Sequence, residues 1–253
     1  MQANVLLASL ERKKQYKFPF ILLGVYVTFL LATVCLANKI TQVGPLLEPG
    51  GIFVFVFTFV ICDIVGEVYG YAYPRLFIWI GVMTELLFAI VVTSVSHLSS
   101  PEYFKFSEAY PAVFDPTLRY VCSSLIGLLF GEFTNVYLLA KWKIRLRGKY
   151  FILRSLVSTA FGQACITIIV DILNYTGSMS VSDLMVLMCS GYLWKMSFSL
   201  LLVFPAWLLV RYLKKAENID YFDLHTNFNP FMLAIREESS QENVLKLHPD
   251  FNQ

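Results

Sequence analysis

Two carboxylates, Asp63 and Glu67, stand inside the apolar stretch FVFVFTFVICDIVGEVYGYAYPR at residues 53–75. A charge at a bilayer centre costs about 2.5–3.5 kcal/mol on insertion scales, so a pair there calls for a partner or a task. Four residues apart, the two share one helix face, which Gly70 and Tyr71 continue. If both are ionised they repel, so at least one needs a proton or a donor-rich group. The pattern fits a ligand site or a proton site. The plainer alternative is a structural pair hydrogen-bonded to neighbouring helices.

Other polar residues recur at similar depth. Glu132 and Asn135 follow the spacing Gly127-x-x-x-Gly131, which itself predicts a close helix-packing face. Ser155, Thr159, Gln163, Thr167 and Asp171 form an i+4 stripe that drifts around its helix. Gln163, at mid-depth, can both donate and accept. Arg154 sits near the basic end, where its stem can snorkel. Glu85 is a lone acid, and Lys195 lies at the level of Asp171, which suggests a structural ion pair. Polar groups recurring near mid-depth on several spans suit a central cavity for a polar solute.

The elements that must position these residues are membrane helices. The 253-residue chain is 57% hydrophobic and 15% charged, against about 45–50% and 25% for a soluble domain. Six apolar runs are long enough to span a bilayer: about 18–38, 51–73, 76–97, 119–140, 150–174 and 190–212. The expected fold is an all-α membrane protein, a bundle of six transmembrane helices. Pro74 and Arg75 separate the second and third runs and predict a tight hairpin there. Pro205 should bend the last span.

Basic residues set the orientation. Arg12, Lys13, Lys14 and Lys17, then Lys141 to Lys149, then Arg211, Lys214 and Lys215 all fall on one side. Both termini are therefore expected to be cytoplasmic, and the first run is expected to be a retained helix, not a cleaved leader. The opposite side carries the acidic, aromatic segment 98–118, expected as an interfacial cap or as an irregular loop. The domains are a basic N-terminus at 1–17, the transmembrane domain at 18–213, and a polar tail at 214–253, expected to be mobile.

A net charge of +2 without a basic, aromatic-studded stripe argues against nucleic acid. The five cysteines form no C-x-x-C pair and are expected as small buried hydrophobes, with no metal or other cofactor. Zinc-protease, nucleophile-elbow and phosphate-loop motifs are all missing, so the chain is expected to be a transporter and no enzyme.

The run FTFVICDIVGEVYG, with Asp63, Glu67, Tyr69 and Gly70, resembles the first signature of the queuosine-precursor transporters, also called the vitamin-uptake-transporter family. RSLVSTAFGQ, with Arg154, Ser158, Gly162 and Gln163, resembles its second signature, and GYLWKMSFSLLLVFP its last helix. The likeness runs over about residues 18–213. One position departs: the family pattern often has an Asp three residues after the Gln, where this chain has Ile166. The resemblance implies import of 7-cyano-7-deazaguanine, 7-aminomethyl-7-deazaguanine or queuine through a bacterial inner membrane, for tRNA modification.

The chemistry of such a solute agrees with the residues. A guanine-like edge offers two parallel donors that a carboxylate can accept, and a carbonyl that Gln163, Asn135 or Arg154 could satisfy. Phe57, Phe59, Tyr69, Trp79 and Trp194 could wall the flat ring. The expected substrate-binding set is Asp63, Glu67, Gln163, Glu132, Asn135 and Arg154. Asp63 and Glu67 either bind the solute or one of them carries a coupling proton. The main expectation is a secondary carrier; the alternative is the substrate-binding membrane subunit of an ATP-driven importer. Partners follow accordingly: lipid, the deazapurine, and either further copies of the chain or energising ATPase subunits.

Overall fold

The computed structural model describes residues 16–44 and 46–232. Among them are six helices long and apolar enough to cross a membrane: α1 (Phe18–Ala37), α2 (Ile52–Tyr69), α3 (Ala72–Ser96), α4 (Ala109–Arg145), α5 (Phe151–Tyr175) and α6 (Val181–Glu217). The expected six-helix membrane bundle is therefore what the chain forms. The basic residues before Tyr16, and the tail beyond Met232, lie outside the described residues.

α2 is the central element. It is 78% buried, against 28–50% of the apolar window in each of the other five helices. It packs on every other helix and carries Phe55, Phe59, Cys62, Val65 and Val68 into the main core. The outer helices turn apolar side chains such as Phe20, Leu87, Phe130, Leu153 and Leu201 outward, the composition a lipid-facing surface requires. Of the cysteines only Cys62 is fully buried; Cys35, Cys122 and Cys189 are exposed on outer faces, contrary to the expectation for all five.

Several boundaries differ from the hydropathy reading. The break between the second and third spans falls at Gly70, not at Pro74 and Arg75. Gly70 adopts φ +83°, and a Cβ there would stand 2.3 Å from the Tyr221 ring. Pro74 lies in the first turn of α3, where its missing N–H breaks no helix bond. α4 and α6 are each 37 residues long, roughly 55 Å at 1.5 Å per residue, so both project past a hydrocarbon core of about 30 Å. The acidic segment is thus helical from Ala109 onward, and Pro116 sits within α4. α6 likewise continues through Pro205. Ser180, just before this helix, is the N-cap: its hydroxyl accepts from the Asp183 amide at 3.2 Å and caps the first turn.

Two features have no helical periodicity to announce them. β1 (Ile40–Val43) and β2 (Leu46–Pro49) form an antiparallel hairpin with Thr41 opposite Glu48, turning at Gly44 with φ +62°. At the other end, residues 218–232 form a strap across the α2–α3 break. The Tyr71 amide at the start of α3 donates to both Asp223 oxygens at 3.0 and 3.1 Å. Arg75 donates to the Asn227 and Asn229 carbonyls, and Trp79 to the Pro230 carbonyl at 2.7 Å. The strap thus supplies acceptors for the amide that opens α3 and for two side-chain donors of its first turns. The polar tail, expected to be mobile from about residue 216, is packed on the bundle over 218–232.

Candidate functional site

Asp63 is 1% exposed on the inner face of α2. Its Oδ1 accepts from the Asn135 amide of α4 at 2.7 Å. Its Oδ2 accepts from the hydroxyls of Ser155 and Thr159, one turn apart on α5, the latter at 3.2 Å. One carboxylate thus joins three helices. Beside it, Glu132 Oε2 accepts from the Tyr26 hydroxyl of α1 at 2.9 Å and from the Cys62 thiol at 3.4 Å.

The close approach of α4 and α5 makes this assembly possible. A Cβ on Gly131 would meet the Gly162 carbonyl at 2.7 Å, and one on Gly162 would meet the Gly131 carbonyl at the same distance and Phe59 at 2.8 Å. Gly127 faces Val170 in the same seam, so the predicted packing face exists. Ile166 fills the seam against Gly131 and is nearly buried. Gly162 also abuts the Asn135 Cβ, which brings the next residue, Gln163, to the level of Asn135.

Gln163 is wholly buried, and neither amide atom has a protein partner; Glu132 Oε1 and Asn135 Oδ1 are likewise open. A buried polar atom left unpaired costs about 1–3 kcal/mol. Gln163 follows Thr159 by one turn on the face of α5 that meets Asp63, so three open acceptors and one open donor, as the amides are oriented, lie on α4 and α5 in this part of the core.

Glu67 belongs to a different cluster, one turn nearer the basic end. Its Oε2 accepts from Arg154 Nη1 at 2.8 Å, and its Oε1 from Lys214 at 2.8 Å, with Lys143 at 3.7 Å. Lys143 also donates to the Glu67 carbonyl, to Asp220 and to the Tyr221 carbonyl. Arg154 is 1% exposed and donates further to the Lys149 and Gly148 carbonyls, so it does not snorkel. Three cations and two carboxylates from α2, α4, α5, α6 and the strap tie that end of the bundle shut.

Of the six expected site residues, the structure therefore groups Asp63, Glu132, Asn135 and Gln163, and sets Glu67 and Arg154 apart as an ion-paired cluster. Tyr26, Lys143, Lys214 and Asp220 went unpredicted, because their partners are remote in sequence. The expected aromatic walls are dispersed. Phe59 adjoins the cluster, whereas Trp79 bonds the strap, Tyr69 packs with Tyr16 and Tyr73, and Trp194 with Phe53 and Phe198.

At the hairpin end lies a cavity of about 60 Å³, lined in part by Glu48, Tyr120, Ser124, Asp171, Tyr175 and Lys195. Lys195 donates to Thr167 at 2.7 Å, and among the described residues it makes no ion pair with Asp171 within 4 Å, contrary to expectation. Glu48 is buried, with Oε1 unpartnered. Burial pushes its carboxyl above the usual range, against the pull of Ser190 and Lys195. No group of three or more His, Cys, Asp or Glu side chains among the described residues could hold a metal ion.

No curated protein and no solved structure matches the chain. A family model described as "Putative vitamin uptake transporter" matches residues 49–210, the span that carries Asp63, Glu67, Glu132, Asn135, Arg154 and Gln163. Six membrane-crossing helices and that match make this chain a multi-pass membrane protein belonging to the vitamin uptake transporter family.

Proposed function

We propose that the protein is a secondary carrier that imports a queuosine precursor, one of the 7-deazaguanines, and binds it between α2, α4 and α5. The observation that carries the reading is the set of four open polar atoms on Glu132, Asn135 and Gln163. A guanine-like edge has two parallel N–H donors and one carbonyl acceptor, the complement of open carboxylate and amide oxygens beside one open amide N–H. Asp63 already accepts from three donors and holds Asn135 in position. Glu132, with a free oxygen, is the better acceptor for the solute.

Glu67 and Arg154 act instead in a lock. With the basic end in the cytoplasm of a bacterial inner membrane, as the positive-inside rule favours, the ion cluster and the strap hold the cytoplasmic end closed. The cavity at the hairpin end then leads toward the site from outside, as alternating access requires. A cavity of about 60 Å³ has room for a few waters, so the bicyclic base must open it to enter.

The test is thermal stabilisation of the purified protein by 7-cyano-7-deazaguanine, 7-aminomethyl-7-deazaguanine, queuine and guanine, beside Glu132→Gln. A ligand at 100 times its dissociation constant adds about 2.7 kcal/mol. A shift with one deazapurine that is lost in the variant supports substrate class and site together. No shift with any of the four, in folded protein, overturns the substrate assignment. Uptake by the purified chain alone in vesicles without ATP separates the carrier from a subunit that needs an ATPase.

A further inference from the structure

Glu85 is buried at 1% exposure on α3 and has no part in either cluster described above. Its Oε2 accepts from the Ser124 hydroxyl of α4 at 3.1 Å, and Ser124 also lines the cavity at the hairpin end. From α1 it faces Tyr26 and from α4 Tyr120 and Glu132, each within electrostatic reach. α2 adds Cys62, bonded to Glu132. Gly81, one turn earlier on α3, stands against the Tyr26 ring and hydroxyl, which fixes the packing of α3 on α1 beside Glu132. No cation pairs with Glu85 among the described residues, whereas Glu67 is tied to three.

We propose that Glu85 carries the coupling proton, taken from the cavity past Ser124, and that its protonation favours solute binding at Glu132. The proposal rests on the carrier reading above and adds the coupling ion and its seat. The physical link is charge. With Glu85 and Glu132 both ionised, two like charges face each other in a low-dielectric core that no paired cation relieves. A proton on Glu85 removes that repulsion; Asp63, the other carboxylate within electrostatic reach of Glu132, is held by Asn135, Ser155 and Thr159, and Glu132 serves as the ionised acceptor for the donor edge of the solute. Proton and solute then bind cooperatively, which is the thermodynamic condition for moving them together. The proton transfer is simple: hydronium from the cavity gives its proton to the Glu85 carboxylate and becomes water, with the Ser124 hydroxyl bonded to the same carboxylate. Glu85 is suited to this because it can gain and lose a proton without breaking an ion pair. The cavity lining holds two carboxyl groups, Glu48 and Asp171, and one lysine, Lys195.

The experiment uses the full chain in proteoliposomes with 7-aminomethyl-7-deazaguanine as probe, comparing wild type, Glu85→Gln and Ser124→Ala. With one proton per solute, an inward gradient of about one pH unit should drive about tenfold accumulation in wild type. Glu85→Gln, a fixed neutral side chain, should show no accumulation above equilibrium while gradient-free counterflow persists. Its ligand affinity should lose the fall toward alkaline pH that ionisation of Glu85 causes in wild type. Ser124→Ala should slow gradient-driven uptake several-fold without abolishing it. Undiminished accumulation in Glu85→Gln overturns the proposal, as does loss of counterflow in step with accumulation, which marks a merely structural side chain. A second readout is independent of the probe. The infrared carboxyl band of the protein should titrate with pH in wild type and lose one component in Glu85→Gln. If no titrating component disappears, Glu85 is not a proton site, whatever the solute proves to be. If that component disappears but wild type moves no deazapurine, the proton site stands and the substrate assignment fails.

Discussion

Replacing Gln163 by leucine should make the protein more stable and less functional at once. Both amide atoms of Gln163 are buried without a protein partner. At about 1–3 kcal/mol for each unpaired buried atom, the native amide carries roughly 2–6 kcal/mol of desolvation penalty. Leucine has a similar volume and no polar atoms, and Phe59 and Ile166, in the core beside Gly162 and Gly131, are apolar. Allowing about half of the lower bound for imperfect repacking leaves a gain of about 1 kcal/mol or more. At roughly 2–4 °C per kcal/mol for a chain of this size, the ligand-free Tm should rise by at least about 2 °C. The same substitution removes an acceptor and a donor from the proposed site, so the stabilisation by the active deazapurine should vanish. Thermal unfolding in detergent, with and without ligand, measures both effects on one sample. A fall in the ligand-free Tm with the ligand shift intact would refute the reasoning, because Gln163 would then be a structural residue satisfied within the protein.

Two further outcomes separate the clusters. Glu67→Gln leaves Arg154, Lys143 and Lys214 facing one fewer carboxylate in a buried network, and breaking such a pair costs about 3–5 kcal/mol; a large loss of thermal stability is expected, whereas a near-neutral effect would show that the ion cluster does not hold that end closed. At Glu48, burial raises the folded-state carboxyl value above the unfolded one, so its contribution to stability is complete below the unfolded value and is lost as pH rises through the folded one. The Tm of Glu48→Gln relative to wild type should accordingly grow more favourable from acid to neutral pH, and a difference that is flat or of opposite slope would count against the buried placement of Glu48.

Much of this molecule is legible without coordinates. Length and hydropathy determine six spans, because a bilayer admits only apolar segments of about 20 residues whose backbone bonds close internally. The unusual cost of buried charge marks Asp63, Glu132, Asn135 and Gln163 as residues that need partners, and the Gly127–Gly131 spacing marks the seam that brings α4 to α5. Tertiary structure alone decides which polar residues meet. Asp63 and Glu67 share a helix face, yet one is held by hydroxyls and an amide and the other by cations, since four residues along an axis rise by about 6 Å, enough to change the neighbours. The strap and the hairpin are decided the same way. Asp223 and Glu48 look like ordinary loop acids in sequence; Asp223 becomes a buried acceptor because the start of α3, more than 100 residues away, presents an open donor, and Glu48 is buried where it lines the cavity at the hairpin end. Hydropathy is a local sum over neighbours in the chain, and a polar partner supplied by a remote segment leaves no trace in it.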